Sequence, residues 1–107
     1  MSDRLLKLVY FVPEDARDAT RDAVFAAGGG RIGEYEHCSW YTAGTGTFLA
    51  REGANPAIGE VGEEERVHEY RVEVVVPEAS VRDVVDALRG AHPYEEVAFD
   101  LIPLHVL

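Results

Sequence analysis

With 107 residues, 47% hydrophobic and 28% charged, the chain can bury one core but not two, so a single domain over 1–107 is expected. Twenty acidic against ten basic residues leave a net charge of −10, which argues against nucleic acid and anionic membranes as partners. One cysteine, Cys38, allows no intrachain disulfide, no signal-peptide layout opens the sequence, and no apolar run nears the ~20 residues of a membrane span; a soluble cytoplasmic protein is expected.

The chain opens on a β-rich run, Leu8 to Val12, that stops at Pro13. Proline cannot donate to a ladder but suits the start of a helix, and a helical run to about Ala27 follows. Ala16, Ala19, Ala23, Val24 and Ala27 form its apolar side, which leaves Phe25 among Arg17, Asp18, Arg21 and Asp22 on the charged side. An exposed Phe25 there hints at a contact outside the monomer. Glycines 28–30 end the helix, and an extended segment is expected from about Gly33 to Thr42.

A long connection, 43–66, leads to a second copy of the same plan. Val72 to Val76 stop at Pro77 as Leu8 to Val12 stop at Pro13, and Val76-Pro77-Glu78 aligns with Val12-Pro13-Glu14. The second helix has a stripe at Val81, Val84, Val85 and Leu88 and is expected to end at Gly90. A last strand is expected from about Glu96 to Leu104. Two βαβ units in so short a chain predict an α+β, ferredoxin-like βαββαβ fold, a four-stranded antiparallel sheet with both helices on one face. Leu8, Tyr10, Val12, Val72, Val74 and Val76 then face the helices. The uncovered face carries Leu5, Lys7, Val9, Phe11, Arg71, Glu73 and Val75, apolar enough on its first strand to predict self-association.

Three stretches could carry chemistry. His37 and Cys38 are neighbours, but on a strand they would point to opposite faces, which rules out a nucleophile-and-base pair between them. Cys38 reads first as a small buried hydrophobe. His92-Pro93-Tyr94-Glu95-Glu96, with Asp100, offers nitrogen and oxygen ligands for a divalent metal, or simply a helix-to-strand turn. The 43–66 connection has Gly44, Thr45 and Gly46, whose backbone N–H groups could cradle a phosphate or carboxylate; it equally suits a partner-binding loop. There is no P-loop lysine beside them.

Together these stretches resemble a known module. Gly30-Arg31-Ile32-Gly33-Glu34-Tyr35, His37-Cys38-Ser39-Trp40, Gly44-Thr45-Gly46-Thr47-Phe48, Asn55-Pro56-Ala57-Ile58-Gly59 and Ala91-His92-Pro93-Tyr94-Glu95-Glu96 are similar, in this order, to the PII-like insert of the Nif-three-like dinuclear-metal-centre proteins, which also exists as a stand-alone form. The resemblance implies a fold akin to the trimeric PII and CutA proteins, with 43–66 in place of their long signalling loop. The ligand-bearing part of the larger proteins is not in this chain. The pattern differs at Gly29, around Leu49 to Arg51, and at Val97 and Phe99.

The resulting expectation is a non-catalytic regulatory or ligand-sensing module, a homo-oligomer and most simply a trimer. It would bind a small ligand or divalent metal at clefts between subunits. Cys38, His92, Glu95 and Glu96 are the candidate residues, because the predicted strand order places the Cys38 and Glu95 segments at opposite edges of one monomer's sheet. The alternative is an accessory that docks on a metal-binding partner protein through loop 43–66. A nucleotide hydrolase is the least supported reading, since the only dense acids, Glu63 to Glu65, look solvated.

Overall fold

A computed structural model describes residues 4–105 and 107. Its elements are β1 (Leu5–Pro13), α1 (Glu14–Ala26), β2 (Trp40–Leu49), β3 (Glu64–Pro77), a 3-10 turn (Glu78–Ser80), α2 (Val81–Ala91) and β4 (Phe99–Pro103). The strands form one antiparallel sheet in the order β2-β3-β1-β4, and the fold is the ferredoxin-like α+β arrangement. Both prolines act as expected: Pro13 and Pro77 close their strands with φ near −63° and lead into helical turns.

The core follows the strand parity. Leu8, Tyr10, Val12, Val72, Val74 and Val76 are fully buried and meet Val24 of α1 with Val84 and Leu88 of α2. Burying one such aliphatic side chain contributes about 1.5–3 kcal/mol. A polar pair inside the core is satisfied: the Tyr10 hydroxyl donates to Thr20 Oγ1 at 3.0 Å, and Thr20 donates to the Arg17 carbonyl at 2.9 Å. Burial pushes the Tyr10 pKa up to about 12, so it stays a neutral donor.

Several expectations need correction. Residues 33–39 are not a strand. Ile32 and Tyr35 exchange backbone hydrogen bonds of 2.9 Å around Gly33, and the positive φ of Gly30, Gly33 and His37 breaks any extended run before Trp40. His37 and Cys38 therefore do not alternate across a sheet. Phe25 is buried rather than exposed, because this turn folds over it: the His37 ring stacks on Phe25 with centroids 4.7 Å apart. Gly30 makes that closure possible, since a Cβ there would lie 2.8 Å from the Phe25 ring. Ala19 faces solvent, and Thr20 takes a core position on α1. Gly90 lies inside the last turn of α2, which ends at Ala91 before Pro93.

The 43–66 connection is not a loop at its ends. Residues 43–49 belong to β2 and 64–66 to β3, which pair without a break from Trp40↔Glu73 to Leu49↔Glu64. Only 50–63 connect the strands, and within the described residues this hairpin projects past the end of β1, giving extents of 50 × 24 × 23 Å. Gly44, Thr45 and Gly46 thus lie within strand β2, opposite Glu69, His68 and Val67, and not in a phosphate-cradling loop. The hairpin is braced to α1 by Arg17, whose guanidinium sits 4.5 and 4.7 Å from the ring centres of Tyr41 and Tyr70.

Candidate functional site

Where the hairpin overhangs β1 it faces the segment between α2 and β4. This segment starts at His92, which is 7% exposed and has both ring nitrogens engaged. Tyr94 N–H donates to Nδ1 at 3.1 Å, which leaves the ring proton on Nε2 to donate to the Phe11 carbonyl at 2.7 Å. Burial pushes the His92 pKa below the ordinary histidine range, partly offset by the Phe11 carbonyl, so the neutral ring is favoured. His92 fixes the 92–94 turn against β1. A metal at either nitrogen would have to break one of these bonds.

Beyond the turn, Glu95 accepts a 2.9 Å hydrogen bond from the Asn55 backbone N–H, tying the hairpin loop to this segment. Between them lies a cavity of about 320 Å³ with mostly apolar walls, including Phe11, Phe48, Pro56 and Ile58. Its polar lining residues are Glu69, Glu95, Glu96, Thr47 and Tyr94. Gly46 makes room for Glu69, because a Cβ at Gly46 would collide with the Glu69 carboxylate. Burial raises the Glu69 pKa. The Tyr94 hydroxyl is buried without a hydrogen-bond partner among the described residues, and burial and the charges of Glu69 and Asp15 raise its pKa.

Cys38 is elsewhere. It is half-buried, and its thiol faces the Glu36 carbonyl at 3.9 Å. Its N–H bonds to Gly30, whose own N–H bonds to Val75 opposite Lys7, while His92 reaches Phe11 farther along β1. Four residues of strand, about 13 Å, separate those two levels of the sheet. Cys38 and the 92–96 segment therefore lie toward opposite ends of the sheet in one chain. No group of three or more His, Cys, Asp or Glu poised to hold a metal occurs among the described residues.

Glu69 and the buried Tyr94 hydroxyl were not among the residues singled out by sequence. Glu69 sits in a run of mixed charge, Arg66 to Arg71, that marks no site, and only the overhang of the hairpin brings it to the 92–96 segment. The nearest signal was the adjacency of Gly46 to residues that a strand register would pair.

No family model matches the chain. It is 58% identical over 98 residues, 92% of its length, to a Mycobacterium tuberculosis protein named "GTP cyclohydrolase 1 type 2 homolog" and covers 26% of that protein. A solved Bacillus cereus protein related to NIF3 superposes with a TM-score of 0.85 at 42% identity, covering 97% of this chain and 26% of that one. The divalent cation tolerance protein CutA of Archaeoglobus fulgidus superposes with a TM-score of 0.69 at 13% identity over 95% of this chain and 85% of its own, a likeness of fold. The chain spans about a quarter of the length of the NIF3-related proteins it matches.

Proposed function

This chain is homologous to the PII/CutA-like segment of the NIF3-related proteins, and from that premise we propose that it is a non-catalytic, ligand-sensing regulatory module that works as a homo-oligomer. The observation that carries the proposal is the sheet itself, covered by helices on one face and open on the other. Across the middle of the open face, Glu73 pairs with Lys7 at 3.4 Å and Arg71 at 3.2 Å, and Val9 is already buried within the chain. The exposed apolar groups lie at its borders, Trp40 on β2 (60% exposed) and Ile102 on β4 (43% exposed). Both border strands also have an unpaired edge among the described residues. A ring that joins borders to borders satisfies backbone groups and buries these side chains together. The trimer is the smallest such ring.

Ligand sensing is supported by the cavity at the hairpin base, which is concave and apolar with a few polar groups, as small-molecule sites are. Glu95 and Glu96 border it; Cys38, on another level of the sheet, would join a site only across subunits. A divalent metal is a second ligand class for such a shared cleft. The whole-protein activity suggested by the relatives' name is not assigned to this segment. Partner docking through 43–66 contracts to the 50–63 loop, because the flanks are sheet.

A thermal-shift scan with divalent ions, nucleotides, small organic cations and small acids tests the sensing proposal. At least one class should raise the melting temperature with the logarithm of its concentration above Kd, by the equivalent of about 2.7 kcal/mol at a hundredfold excess. No shift from any class at millimolar concentration contradicts it.

A further inference from the structure

The cavity at the hairpin base combines features that restrict what can enter it. Three of its lining residues are acidic and none is basic. The neighbouring guanidinium, Arg71, lies 6.0 Å from the Phe11 ring centre on the adjoining part of the sheet and is paired with Glu73. Phosphates and carboxylates would enter against three acids with no base in the wall. A bare divalent ion lacks a converging set of ligands, since no such group occurs among the described residues.

What the walls do supply is an apolar enclosure with one side negative. Phe11 and Phe48 offer aromatic surface, Pro56 and Ile58 aliphatic surface, and Glu69 an acceptor without an ion-pair partner among the described residues. Glu69 is half-buried, and its carboxylate lies against Gly46 in the cavity wall. An N–H donor carrying positive charge satisfies this carboxylate, while an attached ring or branched alkyl group fills the space against the phenylalanines.

We propose that this cavity binds a small organic cation, an ammonium or amidinium carried on an aromatic or branched aliphatic body, with its charge at Glu69. The inference rests on the ligand-sensing reading above but not on subunit clefts, because every group it uses belongs to one chain.

The test compares three probes of one shape by calorimetry and amide NMR: benzylammonium, neutral benzyl alcohol and benzoate. Benzylammonium should bind at least about tenfold more tightly than the alcohol, and benzoate should not bind. Amide shifts should concentrate at 46–48, 57–58, 69 and 94–96. Glu69→Gln should weaken benzylammonium by about tenfold or more with the melting temperature of the free protein unchanged or raised, a combination that misfolding cannot mimic. Equal binding of benzoate, indifference to Glu69→Gln, or no benzylammonium binding up to about 10 mM overturns the inference. If nucleotides or divalent ions bind while benzylammonium does not, the sensing reading stands and the organic cation fails. If nothing binds, both fail.

Discussion

His92 and Phe25 carry more of this molecule than their positions in the sequence suggest. His92 holds the 92–94 turn to the Phe11 carbonyl as a neutral ring, and its lowered pKa has a consequence for stability. The unfolded chain takes up a proton on this ring near pH 6.5, before the folded chain does. The stabilisation due to His92 is therefore full above pH 6.5, and it is lost as pH falls from there toward the lower folded-state value. Melting curves between pH 8 and pH 5 should show the advantage of the wild type over His92→Gln shrinking only below about pH 6.5. A constant difference across that range contradicts the neutral, doubly bonded ring. The turn itself was legible from Pro93 and the end of the helical stripe. The role of His92 was not, because its partner is 81 residues away. Phe25 was misplaced for a similar reason: helical periodicity describes one helix face, and the residues that cover Phe25 come from the 30–39 turn.

At the scale of elements, the strand-proline-helix repeat was readable because each signal is local. Pro13 and Pro77 end strands, and Val81, Val84, Val85 and Leu88 mark a helix face whatever the rest of the chain does. The β2-β3 hairpin was hidden. Gly44 and Gly46 have poor strand propensity, and the acids at 63–65 resemble a solvated run, yet ten consecutive register pairs outweigh both. Burial also alternates weakly there, since much of β2 is exposed. The candidate cavity exists only because this hairpin overhangs β1, and so it could not be read from motifs. Glu95 is the clasp between the hairpin loop and the 92–98 segment. Replacing it, Glu95→Ala, should speed backbone hydrogen exchange across 50–58 by severalfold while leaving β1 and α2 unchanged. Unchanged exchange in the loop would mean that the Asn55 contact does not hold it.

For the whole molecule, one physical question decides the account. A sheet with helices on one side leaves a surface whose centre is ion-paired and whose borders are apolar and unpaired in strand edges. The sequence led to the same surface through residue parity but overstated its apolarity, because flanking side chains and Val9's own burial do not appear in an alternation pattern. Border-to-border assembly is what the remaining exposed groups call for, and the net charge of −10 must be overcome in forming it. Association should therefore strengthen with salt over the range in which like charges are screened. The most direct measurement is the mass of the protein in solution by light scattering or native mass spectrometry, at tens of micromolar and physiological salt. Border-to-border assembly requires a multiple of the 11.8 kDa chain, threefold for the smallest ring, that falls to the single-chain mass when Trp40 and Ile102 are both replaced by Glu. A single chain of 11.8 kDa under those conditions, with Trp40 and Ile102 intact, contradicts it.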